Sequence, residues 1–175
     1  EADRKDHRLQ LFYPFILRRT KEQVAKDLPA KIETILFCEM GSEQMAIYDA
    51  YRNDFRAPIM GTIEQNGIQR SQLTILQGLM KLRQICDSPA ILNEAEKFPN
   101  HSIKLEELGR EITEGVSNHK ALVFSQFLGM LALIKEKLKE LEVDFEYFDG
   151  STSAIDRERA IQRFQNDENC RVFLI

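Results

Sequence analysis

The feature that most constrains this chain is a change of hydrophobic period at Lys120. Upstream, the apolar residues recur mainly at helical spacing. Downstream, short apolar runs alternate with helical segments: Lys120–Phe124, then Phe127, Leu131, Ile134, Leu138 and Leu141 on one helix face, then Phe145–Phe148. The turn Asp149-Gly150-Ser151-Thr152 follows, then a helix carrying Ile155, Ile161 and Phe164, and a last run, Val172–Ile175. Strand, helix, strand, helix, strand folds into a parallel sheet with right-handed crossovers. The Lys120–Phe124 run reads as a strand buried on both faces. Phe145–Phe148 is expected parallel beside Ala121–Phe124, and Val172–Ile175 at an apolar edge. Such an edge recruits another chain, so self-association is expected, seen as a light-scattering mass above that of one chain.

The upstream region reads as helical. Ser42 is placed to cap a helix to about Arg56, with Ile47, Tyr48, Tyr51 and Phe55 on one stripe. Pro58, Gly61 and Gly67 suggest a loop, followed by a second helix from about Arg70 to Cys86 bearing Leu73, Leu76, Leu79, Met80 and Arg83 at helical spacing. Ser102 caps a third helix through about Glu114, with Gly115 at its C-terminal end. Ile32–Cys38 is a strand candidate. Residues 1–30 read as a basic connecting segment, in which Thr20 caps a short helix from Lys21 to Asp27 before the Leu28-Pro29 stop.

A chain of 175 residues with 43% hydrophobic and 30% charged residues can bury a core without disulfides or metal, and these values exclude disorder and fibrous classes. The longest uncharged stretch, Ala121–Ile134, is too short to span a bilayer, and no secretory signal opens the chain. Cys38, Cys86 and Cys170 are odd in number and widely spaced, as expected of reduced core thiols in a cytosolic protein. The histidines make no ligand-spaced pair. A net charge of −4 is no blanket signature of nucleic-acid binding, yet residues 1–31 hold eight Lys or Arg against five acids.

No glycine is followed by Lys and no two glycines lie two apart, so neither a P-loop nor a dinucleotide fingerprint is present. Asp167-Glu168 precedes a strand instead of ending one and reads as a solvated loop. Two places lie at the carboxyl ends of strands, where open parallel sheets bind ligands. One is the turn Gly150-Ser151-Thr152, whose N–H groups, hydroxyls and helix dipole suit a phosphate, although Ser or Thr there also serves simply as a cap. Arg157 and Arg159 follow it, where a cation opposes the helix dipole; each is also acceptable as a solvated side chain. The other is Ser125-Gln126-Phe127, which is equally a polar strand end. Arg18-Arg19-Thr20-Lys21 could grip DNA phosphates or form a solvated face.

Taken in order, four blocks resemble the Swi/Snf-type helicase-like ATPases, including their bacterial relatives. The blocks are Phe15-Ile-Leu-Arg-Arg-Thr-Lys21 with Asp27-Leu-Pro-Ala-Lys31, Leu79-Met-Lys-Leu-Arg-Gln-Ile-Cys86 with Ser88-Pro89, Lys120-Ala-Leu-Val-Phe-Ser-Gln-Phe127, and Tyr147-Phe-Asp-Gly-Ser-Thr-Ser153 with Arg157 and Phe164. The resemblance implies an α/β fold, a partial RecA-like parallel sheet with flanking helices preceded by a helical protrusion. It implies an inter-lobe connector at 1–30, the start of the second lobe with the protrusion at 31–115, and the first half of that lobe at 116–175. It further implies a fragment of an ATP-dependent DNA translocase that contacts the double-stranded DNA backbone through Ser125, Gln126, Gly150, Ser151, Thr152 and Arg157, and through Arg18, Arg19 and Lys21 in the connector. ATP and magnesium are implied for the complete protein, together with a first helicase lobe as partner and a cytoplasmic, nucleoid or nuclear location. Many relatives carry His-Pro where this chain has Ser88-Pro89, so no role of that histidine transfers. The P-loop and arginine-finger motifs are absent, so the fragment alone is expected not to hydrolyse ATP. A non-catalytic α/β protein-interaction module is the alternative. Substituting Arg157 and Arg18 separates the two, since a motor reading expects weaker DNA binding with a shallower salt slope.

Overall fold

The computed structural model describes residues 17–25, 27–29, 31–92, 98–116 and 119–175, with side chains for all of these except 21, 22 and 62–70. Phe15, Ile16 and Ala30 of the first sequence block lie outside the described residues. The chain divides into two compact units, Glu1–Leu36 and Phe37–Ile175. Among the described residues no helix is long and apolar enough to cross a membrane.

In the first unit Thr20 starts helix α1, Lys21–Val24. Its carbonyl accepts from the N–H groups of Gln23 and Val24 at 3.1 and 3.3 Å, and its own N–H donates to Gln23 Oε1 at 3.1 Å, half of a capping box. The helix stops after one turn, short of the expected Asp27. The strand expected at Ile32–Cys38 does not form, and Ile32, Ile35 and Phe37 are exposed. A strand exists only by pairing, and this segment meets no ladder partner among the described residues.

The second unit opens with α2, Ser42–Asp87, helical throughout, with Gly41 and not Ser42 at the N-cap and Pro58 inside. The loop expected around Pro58, Gly61 and Gly67 is therefore absent as a break in helical backbone. The segment nevertheless doubles back. Drawn straight, it would hold Gln44 and Ile85 about 60 Å apart, yet Gln44 Nε2 donates to the Ile85 carbonyl at 2.7 Å. The Lys81 ammonium lies 5.7 Å from both the Tyr51 and Phe55 rings, so two helical arms run antiparallel. The inward stripe of the second arm is Ser71, Gly78 and Ile85, not the leucines picked from spacing; Leu73, Leu76 and Leu79 are exposed. The small residues face inward because the rings opposite need the space: a Cβ on Gly78 would lie 3.3 Å from Phe55 Cγ.

Polar bonds close the base of this hairpin. Gln44, 1% exposed, also receives the Ile103 N–H on its Oε1 at 3.4 Å. The Ser102 hydroxyl donates to the Asp87 carbonyl and caps α3, Ile103–Arg110, by accepting the Leu105 N–H at 3.1 Å. A wider helical turn, Glu111–Gly115, extends α3 to the end expected from the position of Gly115.

The sheet comprises β1 (Ala121–Val123), β2 (Phe145–Tyr147) and β3 (Val172–Leu174), all parallel, in the order β1-β3-β2. Ala121 and Phe145 both register with Val172. Two expectations are corrected. Phe145–Phe148 shares a sheet with Ala121–Phe124 but does not lie beside it, because β3 enters between them. Val172–Ile175 is accordingly the centre and not an edge, so the self-association argued from that edge loses its basis. The reason is burial: β3 is covered on both faces, whereas Leu122 of β1 remains 54% exposed, so the strand buried on both faces is β3.

Helices flank both faces. Leu105 and Ile112 pack with Met130, Leu131, Ile134 and Leu138 of α4, Leu128–Glu140, against Val172 and Leu174. On the other face, Phe173 is 2% exposed and meets Phe164 of α5, Ala154–Asn166, edge to face at 5.1 Å. Of the three free cysteines only Cys170 is fully buried; Cys38 and Cys86 are half-buried, less enclosed than their apolar neighbours suggested.

Candidate functional site

The sheet delivers two turns to one edge. The Ser125 N–H donates to the Ile175 carbonyl at 3.1 Å, and the Phe148 N–H to the Leu174 carbonyl at 3.3 Å, so both chains leave the sheet at its carboxyl end. With β3 between them, they emerge about 10 Å apart. The half-buried Ser125 hydroxyl accepts the Phe127 N–H at 3.2 Å, which shapes the entry into α4 and leaves Gln126 exposed at the rim.

The second turn is organised by a carboxylate. Asp149 Oδ1 accepts the Ser151 N–H at 2.9 Å, the Ser151 hydroxyl at 2.6 Å and the Thr152 hydroxyl at 3.3 Å, while Oδ2 accepts the Tyr147 hydroxyl at 2.5 Å. The Ser151 hydroxyl above all, then Tyr147, holds the Asp149 carboxyl well below the usual carboxylate range. Reciprocally, the hydrogen bond to Asp149, helped by partial burial, pushes the Tyr147 phenol up to about 12. Thr152 Oγ1 closes the ring by accepting the Asp149 N–H at 3.0 Å. Ser153 caps α5 by accepting the Asp156 N–H at 3.2 Å.

At the tip, Gly150 is exposed, and a Cβ there would meet no atom within 4 Å. Its φ lies outside the left-handed region, so neither packing nor backbone conformation requires glycine at this position.

Arg157 turns inward. Its Nε donates to the Thr152 carbonyl at 3.1 Å, its Nη2 to the Asp149 carbonyl at 2.9 Å, and its guanidinium lies 5.3 Å from the Phe148 ring centre. Phe148 packs on Phe173 at 5.2 Å, Phe173 on Phe164 at 5.1 Å, and the Lys120 ammonium sits 5.1 Å over Phe164. A row of three rings with a cation at either end thus spans one face of the sheet. Lys120 also donates to the carbonyls of Phe164, Gln165 and Asp167, satisfying the open end of α5.

The structure brings Ser125, Gln126, Gly150, Ser151, Thr152 and Arg157 to one sheet edge. Arg18 and Arg19 are exposed ahead of α1, and Lys21 opens it, its side chain lying outside the described residues. Arg159 pairs with Asp156 at 3.1 Å. Sequence reasoning missed Asp149 as the organiser of the turn, Tyr147 as its partner and Lys120 as the helix cap. An Asp two residues before a Ser at a turn was the one local signal for the first of these. Among the described residues no three His, Cys, Asp or Glu side chains are placed to hold a metal ion. At this edge Gln126 and Gly150 are exposed, the Ser151 and Thr152 hydroxyls are bonded to Asp149, and the Arg157 guanidinium turns inward.

Residues 2–91 match the model of the SNF2-related domain, and residues 103–175 that of the helicase conserved C-terminal domain. The chain is 35% identical to the uncharacterized ATP-dependent helicase MG018 of Mycoplasma genitalium over 92% of its own length and 15% of the relative's. It is 30% identical to the DNA repair and recombination protein RAD26 of Saccharomyces cerevisiae, over 94% of this chain and 16% of that one. The chain therefore spans less than a fifth of the length of these curated relatives. In structure it is similar to the Sulfolobus solfataricus SWI2/SNF2 ATPase core in complex with dsDNA, with a TM-score of 0.72 at 33% identity, covering 97% of this chain and 36% of that one.

Proposed function

The chain belongs to the SNF2-related, Swi/Snf-type helicase-like ATPases, and from that premise we propose that it supplies part of the DNA track of an ATP-driven translocase on double-stranded DNA. In this reading residues 1–30 connect the two motor lobes, 31–115 begin the second lobe and carry its helical protrusion, and 116–175 form the first half of that lobe's RecA-like sheet. The whole protein binds ATP with magnesium against its first lobe and works where its DNA is, in the nucleoid or the nucleus. This chain's own contribution needs no metal. It presents the exposed backbone at Gly150, on a turn whose Ser151 and Thr152 hydroxyls are held inward by Asp149, with Ser125 and Gln126 beside it, to one DNA strand, and Arg18, Arg19 and Lys21 add sequence-independent phosphate attraction.

The observation that carries this reading is Gly150. A glycine that its own fold does not require, exposed at the tip of a preorganised turn on the carboxyl edge, is suited to close approach by an external phosphate backbone. A side chain there should spare the fold and obstruct the approach. Gly150→Leu in the full-length protein should leave unfolding within about 0.5 kcal/mol of the unsubstituted protein. It should raise the DNA concentration needed for half-maximal ATP hydrolysis by about tenfold, the size of one lost charge-assisted contact. Unchanged DNA dependence would contradict the reading.

A further inference from the structure

We infer that Arg157 serves DNA binding as a positioning residue, holding the Asp149–Thr152 turn in shape, and not by pairing its own charge with a phosphate. The inference rests on the reading of this edge as a DNA contact.

Three observations carry it. The guanidinium bridges both ends of the turn, bonding the carbonyls of Asp149 and Thr152 at 2.9 and 3.1 Å. Phe148 lies 5.3 Å behind it, and Phe148 is in turn packed against the buried Phe173 at 5.2 Å. The side chain is half-buried, whereas Gly150 and Ser151 are exposed. A planar guanidinium carries donors on separate nitrogens at a fixed spacing, so Nε and Nη2 reach the two carbonyls together; a lysine presents all its donors from one nitrogen and would lose that spacing. The same bridge accounts for a cation near a helix start, where the dipole disfavours it: its partners are carbonyl oxygens, which offset that repulsion. Asp149 braces the turn from its other side through Ser151 and Thr152, so the tip is held between an anion and a cation that both face inward.

The positioning role and a direct ion pair differ in their response to salt. Each phosphate neutralised by a side-chain charge steepens the dependence of log affinity on log salt by about 0.9, whereas contacts from neutral backbone and hydroxyl groups leave it unchanged. The test is fluorescence anisotropy of the full-length protein on a random-sequence DNA duplex across a salt series, for Arg157→Lys, Arg157→Gln and Phe148→Leu. Both arginine variants should weaken binding about tenfold at an unchanged salt slope. Phe148→Leu, which alters no charge, should weaken it in the same direction. Arg157→Lys should also speed hydrogen exchange at the Gly150, Ser151 and Thr152 amides without DNA. A slope shallower by about 0.9 in Arg157→Gln, with near-normal binding by Arg157→Lys, would overturn the positioning role. Normal binding by both arginine variants would overturn it as well. If Gly150→Leu binds DNA normally while Arg157→Lys still speeds amide exchange, the DNA reading fails and the brace stands.

Discussion

At the scale of single residues, Asp149 is the group on which the candidate edge depends. Its carboxylate gathers the Ser151 N–H and hydroxyl, the Thr152 hydroxyl and the Tyr147 phenol, and these donors favour the charged form. Because the folded pKa lies below the unfolded value of about 3.9, the stabilisation from this carboxylate is present above about pH 4 and is lost as pH falls toward the folded pKa. Carbon NMR of the Asp149 carboxyl should show it still ionised where ordinary aspartates are half protonated. Ser151→Ala should return its titration toward theirs, Ser151 being the largest contributor. Titration of Asp149 with the other aspartates in the unsubstituted protein would remove the proposed organiser. The turn itself was legible in the sequence because Asp-Gly-Ser-Thr is local turn chemistry. The destination of Arg157 was not, since it depends on carbonyl directions and on Phe148, Phe173 and Phe164 lining up from three separate elements. Lys120 was illegible for the same reason, because the carbonyls it caps lie 44 to 47 residues away.

At the scale of elements, the α2 hairpin shows how helical spacing can indicate a helix without indicating its inner face. Leucine spacing marked Leu73, Leu76 and Leu79, yet the arms meet along Ser71, Gly78 and Ile85, because Tyr51 and Phe55 supply the bulk from the opposite arm. Shape complementarity between facing residues decides this, and a single-helix pattern does not contain it. Gly78→Leu should force the arms apart and lower stability by about 1–3 kcal/mol, the usual range for overpacking, as read by urea unfolding. Leu76→Ala, on the exposed face, should change stability by less than about 0.5 kcal/mol. Equal effects at the two positions would contradict the inward stripe. Pro58 was read as part of a break; the backbone is helical there and Pro58 is exposed, and the reversal that pairs the arms comes after Ile59, which faces Gly78.

At the scale of the whole chain, the alternation of periods after Lys120 specified a parallel sheet and its crossovers, and the structure agrees. It did not specify strand order, since Ala121–Val123 and Val172–Leu174 are both apolar and only the packed molecule decides which is covered on both faces. The order β1-β3-β2 sends the Ser125 and Asp149 turns to one carboxyl edge, the edge we propose as a contact for double-stranded DNA. Amide hydrogen exchange of the full-length protein with and without a DNA duplex tests this claim most directly. Slower exchange on DNA binding at residues 125–127 and 149–153, together with the Arg18–Lys21 segment, is the predicted result. DNA binding that leaves exchange at 125–127 and 149–153 unchanged would contradict the account.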